Sequence, residues 1–245
     1  MKMKSVYPMM IICTVIIVAL AFTSVSEARD KQYDAMQVSN FVVDGNLDEW
    51  GTEDPVIILD ELKDVGNKLP DPDDFSGEIM VGWSSSDPER VYLAYTVIDD
   101  ELQDINPPNN NWWNDDSAEI IFDFKNNGVN TKFVVGATGE LGATSNEGNT
   151  EFVLVVDNVT DQYLYEIAVT GIAGFKADAG VTVGLSPIYN DCENGVREHQ
   201  IGWIAGGAND NKNMGDINFV NQARRPTSVE LSGKLATTWG HLKSR

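Results

Sequence analysis

The chain is poor in cysteine, histidine and basic side chains. It has two cysteines and two histidines in 245 residues, and 17 Lys and Arg against 38 Asp and Glu, for a formal charge of −21. Cys13 lies in an N-terminal apolar run and Cys192 far from it, so no disulfide framework holds the fold. His199 and His241 have no Cys/His spacing of a zinc site around them, and no HExxH, G-x-S-x-G or phosphate-binding Gly-rich loop is present. Polyanions repel such a chain, which excludes nucleic acid and an anionic membrane surface as its main partners. Acidic residues are so abundant that no pair of carboxylates is singled out for glycoside hydrolysis. The chain is therefore expected not to be an enzyme. Disorder is excluded in turn, because 42% of residues are apolar and 9% aromatic.

Long hydrophobic runs are also scarce, and the one present has the marks of a targeting signal. Lys2 and Lys4 precede the apolar stretch Met9 to Phe22, and Ser26-Glu27-Ala28 supplies the small-x-small pattern of a signal-peptidase site. The expectation is a signal peptide over residues 1–28, cleavage after Ala28, and an extracellular or periplasmic protein with no membrane span left. An uncleaved anchor is the alternative, but the run falls short of the ~20 residues that cross a bilayer. Cleavage removes Cys13 and leaves Cys192 alone.

Beyond residue 30 the only hint of helical period is the stretch Val56 to Val65. Elsewhere short runs of Val, Ile, Tyr and Phe alternate with polar residues between Gly, Asn, Asp and Pro. The runs are Val38 to Val43, Glu78 to Trp83, Val91 to Val97, Ser117 to Phe124, Lys132 to Ala137, Glu151 to Val156, Tyr163 to Thr170, Val181 to Tyr189, His199 to Ala205, Asp216 to Val220 and Ser228 to Lys234. About eleven short strands with turn signals between them predict one all-β sandwich or barrel. It would span residues 37–234, with a tail over 235–245.

The segment 99–116 concentrates the chemistry. It opens on Asp99-Asp100-Glu101, closes on Asn109-Asn110-Asn111-Trp112-Trp113-Asn114-Asp115-Asp116, and leads to Glu119. Carboxylate and amide oxygens on an irregular loop suit a hard cation such as Ca²⁺, in a spacing unlike an EF-hand. A solvated acidic loop is the alternative. Trp112 and Trp113 adjoin in a polar loop, so at least one ring is expected to point outward, where an aromatic face can stack on a sugar ring. The competing expectation is that both close over the end of the core. Trp50, Trp83 and Trp203 lie on apolar strand patterns and are expected inside.

Several segments resemble family 9 carbohydrate-binding modules. Val43-Asp44-Gly45-Asn46-Leu47-Asp48-Glu49-Trp50 is similar to the opening segment of that family, and Val91 to Asp100 to its LYVAFxVxD strand. Trp113-Asn114-Asp115-Asp116-Ser117-Ala118-Glu119-Ile120-Ile121-Phe122-Asp123 resembles its W-x-x-D-S-V-E-I-F-I-D segment, the most specific match. Tyr165 to Val169 and Gly184 to Asp191 resemble two later strands.

The resemblance implies a jelly-roll β-sandwich with structural calcium and a shallow sugar site, without catalysis, acting in polysaccharide breakdown or uptake. It implies Trp113 as one wall of an aromatic clamp and Glu119 as a partner of sugar hydroxyls. The second clamp Trp of the family has no counterpart in Asn209 to Asp216, and Trp112 or Tyr189 is the candidate replacement. A basic residue of the following strand is replaced by Val134, with Lys132 as substitute. Asp99, Asp100, Asp116 and Asp191, all in or beside matched segments, are the calcium candidates. The expected partner is a poly- or oligosaccharide, with a separate glycoside hydrolase beside it. The alternatives are a calcium-stabilised surface sandwich that binds no sugar, and a haem-binding sandwich using Met80, Met214 or His199.

Overall fold

A computed structural model describes residues 29–221 except 40, 48–49, 51–55, 64, 67, 87–88, 105–111, 138–140, 142–148, 158–159, 208–209 and 211. The expected signal, the strand predicted over Ser228 to Lys234 and the tail lie outside them. Twelve strands and one 3₁₀ turn make up the regular structure among the described residues. They are β1 (Gln32–Gln37), β2 (Ile57–Ile58), β3 (Glu61–Leu62), β4 (Phe75–Ser84), β5 (Arg90–Asp99), the 3₁₀ turn Trp112–Asn114, β6 (Ser117–Asp123), β7 (Thr131–Gly136), β8 (Asn149–Asp157), β9 (Gln162–Thr170), β10 (Thr182–Glu193), β11 (Val196–Gly202) and β12 (Gly215–Val220). No helix among them is long and apolar enough to cross a membrane.

One continuous hydrogen-bonded sheet folds back on itself into a jelly-roll sandwich. Strand β10 is the hinge of that topology. Along one edge it pairs antiparallel with β6 from Gly184 to Asn190. Along the other it pairs first with β12, from Thr182 to Leu185, and then with β11, from Ile188 to Glu193. One layer is therefore β7-β6-β10-β11-β3, and the other is β12-β1-β4-β5-β9-β8, with β2 on β4.

Alternation places the core between the layers. Val91, Leu93, Tyr95 and Val97 of β5 meet Ala118, Ile120 and Phe122 of β6 and Val183, Leu185 and Tyr189 of β10 in one buried cluster. Tyr189 stacks on Phe75 at 5.2 Å between ring centres. Trp83 stacks on Phe219 at 5.4 Å, and its indole N–H lies 3.1 Å from Ala35 O and 3.2 Å from Val220 O. Trp50, Trp83 and Trp203 are all buried, as their patterns predict.

Three elements differ from the sequence pattern, one of them only in its bounds: β11 is Val196–Gly202 rather than His199 to Ala205. The first strand is Gln32–Gln37 rather than Val38 to Val43, and it runs parallel to both β12 and β4. Its inward residues are Tyr33 and Ala35, a weak apolar signal, whereas Val38 and Phe41 pack on the outside of the second layer with Trp50, Met80 and Tyr92. The stretch Val56 to Val65 is no helix. It breaks at Leu59 and Asp60 into β2 and β3, which pair with β4 and β11.

The outer cluster is pinned by one carboxylate. Glu166, fully buried on β9, accepts the backbone N–H groups of Asp44 and Gly45 at 2.9 Å each and the indole N–H of Trp50 at 3.2 Å. Gly45 has φ +82°, and a Cβ there would come within 2.4 Å of Val155 Cγ2, so the turn requires glycine. The two resembling segments, Val43 to Trp50 and Tyr165 to Val169, are thus the two sides of one hydrogen-bonded contact. Removing the carboxylate strands three donors, so Glu166→Ala is expected to cost about 3 kcal/mol in urea unfolding. A loss below about 0.5 kcal/mol would contradict this account of the turn.

Candidate functional site

Three strands carry a carboxylate in phase with their core-facing residues, one position past the apolar row. Asp99 follows Val97 on β5, Asp116 precedes Ala118 of β6, and Asp191 follows Tyr189 on β10. All three are buried, and one oxygen of each lies within 4.8 Å of the others. They close one end of the core, with Asp99 from one layer and Asp116 and Asp191 from the other side of the sandwich.

Neighbouring groups hold these carboxylates in place. Asp116 accepts the backbone N–H groups of Cys192, at 2.8 Å, and Gln103. Asp99 accepts the Glu101 N–H at 3.2 Å, while its other oxygen is buried with no hydrogen-bond partner. Asp191 faces His199 Nδ1 at 3.0 Å. Burial and then the Asp191 charge push Asp99 up to about 8, and burial and then Asp99 push Asp116 up to about 9. Burial raises Asp191 to about 6 against the opposing pull of His199. An all-oxygen set with one orphaned buried oxygen fits a hard cation, which would relieve the mutual repulsion. Asp100 faces away, as alternation demands of the next residue. It is exposed and groups instead with Asp74 and Glu193, while Asp74 also approaches Asp191 and His199.

A polar row crosses the opposite face of the first layer. Lys132 of β7 forms an ion pair with Glu119 of β6. Asn190 of β10 donates to Ser117 Oγ at 3.0 Å and Glu119 Oε2 at 3.3 Å. Asn190 Oδ1 accepts from Arg197 Nη1 at 3.0 Å and Gln200 Nε2 at 3.1 Å, both on β11. Val134 stands directly opposite Glu119 in the register, and Lys132 reaches it diagonally from beside Ile121. Glu119 itself is buried, so the partly exposed ends of the row are Lys132 and Arg197.

The turn that carries Trp113 adjoins β10 and β11, the strands of Asn190 and Arg197. The Cys192 thiol reaches the Trp113 carbonyl at 3.6 Å, and Cys192 pairs with Arg197 across the β10–β11 hairpin. The Trp113 side chain is 45% exposed, so one ring of the Trp pair does point outward. The Trp112 side chain lies outside the described residues. Tyr189 cannot serve as a second wall. It is fully buried in the core between Phe75 and Tyr165, because it falls in the inward phase of β10.

Met80 and Met214 belong to separate apolar clusters, Met214 with Ile121 and Ile188, and His199 is turned to Asp191. Sequence reasoning missed Arg197 and Gln200, and it named Asn190 only as part of a matched strand. The available signal was the dipeptide Asn190-Asp191, whose neighbours on a strand must serve opposite faces.

A family model described as "Carbohydrate family 9 binding domain-like" matches residues 43–222. Among solved structures, the fold is similar to a family 9 carbohydrate-binding module from Caldicellulosiruptor kristjanssonii in complex with cellotriose. That match has a TM-score of 0.62 and 16% identity, and it covers 81% of this chain and 98% of that one. A module from the same organism in complex with glucose matches with a TM-score of 0.61 and 16% identity, covering 81% of this chain and 100% of that one. No curated protein matches the sequence.

The ion pair of the polar row sets an energetic expectation. Lys132→Met leaves the buried Glu119 carboxylate without its cation, and because the lysine is partly exposed the expected loss is about 1–2 kcal/mol. Glu119→Gln added to that variant should recover most of it in a double-mutant cycle measured by urea unfolding. Independent, additive losses would show that the two side chains are not coupled.

Proposed function

Because the chain belongs to the family 9 carbohydrate-binding domains, whose model covers residues 43–222, we propose that it is an exported, non-catalytic carbohydrate-binding protein with structural calcium. The single observation that carries the sugar reading is the half-exposed Trp113 on a turn that adjoins two strands of the rank of charged and amide side chains. Its ring takes the C–H face of one pyranose. The exposed ends of Lys132 and Arg197 donate to hydroxyl oxygens, and Glu119 and Asn190 orient them from behind. Calcium is assigned to Asp99, Asp116 and Asp191, with Asp100 outside the set. The ligand class is a poly- or oligosaccharide, and the cellotriose and glucose of the structural neighbours are the first probes to use. Any hydrolysis belongs to a separate glycoside hydrolase.

One aromatic wall supports only weak binding. Aromatic contacts add ~0.5–1.5 kcal/mol beyond burial, so a Kd of about 10 μM to 1 mM is expected. A second reading, a calcium-stabilised surface sandwich that binds no sugar, draws on the burial of Glu119 and its pairing with Lys132 and Asn190. Calorimetric titration with cellotriose and with a panel of soluble oligosaccharides separates them. Trp113→Ala is expected to weaken binding at least about tenfold without changing thermal stability. An unchanged affinity in that variant would overturn the stacking role, and absence of any binding by the native protein would favour the second reading.

A further inference from the structure

Arg29, the residue directly after Ser26-Glu27-Ala28, is tied to two buried carboxylates. Its backbone N–H donates to Asp216 Oδ2 at 3.0 Å, and its guanidinium Nη1 donates to Asp216 Oδ1 at 2.8 Å. Both oxygens of one carboxylate are thus taken by one residue. Nη2 reaches Asp123 Oδ2 at 3.3 Å. Asp123 is fully buried at the end of β6 and also accepts the N–H groups of Asn127 and Gly128 at 3.0 and 2.8 Å. Asp216 is buried on β12. The floor is Gly184 of β10, where a Cβ would come within 2.6 Å of Arg29 Nη1. Two residues further, Lys31 O accepts the Asp216 N–H at 2.9 Å, and β1 enters the sheet between β12 and β4 at Gln32.

The charges in this socket do not balance. Two carboxylates face one guanidinium, and among the described residues the ion pairs to Asp123 and Asp216 both come from Arg29. A buried carboxylate in excess is costly unless a second cation meets it. The nitrogen already seated on Asp216 is the one that signal-peptide cleavage would convert from an amide into an ammonium.

We propose that this socket is the seat of the mature amino terminus. Water, delivered by an export-coupled signal peptidase, hydrolyses the Ala28–Arg29 peptide bond. The new carboxylate stays on Ala28 and the α-ammonium on Arg29, where it pairs with Asp216 and supplies the missing positive charge. Processing thereby completes the junction of β6, β10 and β12 at the point where β1 enters. This rests on the export reading given above.

The test expresses the full chain with its own leader in an exporting host and determines the amino terminus by intact mass and N-terminal sequencing. The expected first residue is Arg29. A second chain carries one glycine inserted between Ala28 and Arg29, so that cleavage moves the ammonium one residue away while all side chains remain. Its Tm is expected to fall by about 2–4 °C, and Asp216→Asn should abolish the difference between the two chains. A retained leader would overturn the proposal together with the cleaved-signal reading, whereas a start at another residue would overturn the seat alone and leave export standing. A start at Arg29 with equal Tm for both chains would overturn the seat alone and leave export standing.

Discussion

Three buried carboxylates at one end of the core are the constraint around which the rest of the site is arranged. Asp99, Asp116 and Asp191 come from strands on both sides of the sandwich, and each occupies a position that alternation would otherwise give to an apolar side chain. Such a convergence is unfavourable by itself, because burial and mutual repulsion both oppose ionisation. It is tolerable if the groups stay protonated or if a cation joins them. Calcium, as proposed here, would tie the β5 end to β6 and β10 and so fix the turn Trp112–Asn114. The Trp113 platform would then owe its position to a metal it does not touch, and the site would be rigid where the sugar is proposed to bind.

Alternation makes one short sequence serve both purposes. In Asp116-Ser117-Ala118-Glu119, the aspartate and alanine face the interior, whereas the serine and glutamate face the polar row. In Asn190-Asp191 the division repeats with the phase reversed. Glu166 does the same on the other layer, where an outward position of β9 is turned into the anchor of the Asp44–Trp50 turn. Buried polar groups at these places pair across strands or with a neighbouring turn or loop, which gives the outer faces a fixed geometry that apolar packing alone would not impose.

Most strands were legible because their inward residues are large and alternate cleanly, as in Val91, Leu93, Tyr95 and Val97. β1 was not, since Tyr33 and Ala35 between polar neighbours are too weak a pattern, and its place is set by long-range pairing with β12 and β4. Of the four carboxylates named as cation candidates, the fold brings Asp99, Asp116 and Asp191 together and leaves Asp100 apart. Phase along the strand separates Asp99, which is inward, from Asp100, which is exposed, and nothing in composition does so. Arg197 and Gln200 were illegible because their role arises from the β10–β11 register across the bulge at Asp191/Cys192. Glu119 shows the opposite failing. The resemblance named it as a partner of sugar hydroxyls, and its burial behind Lys132 was not legible.

The most direct test is a glycan-array measurement on the protein, run in parallel with calcium and with a chelator and accompanied by thermal melts under both conditions. Binding to a defined glycan is expected in calcium, with loss of that binding in chelator and a Tm lower by about 5–10 °C without the metal, the size expected for a cation present at ~100 times its Kd. Equal binding and equal Tm in the two conditions would contradict the link between the buried carboxylates and the Trp113 platform.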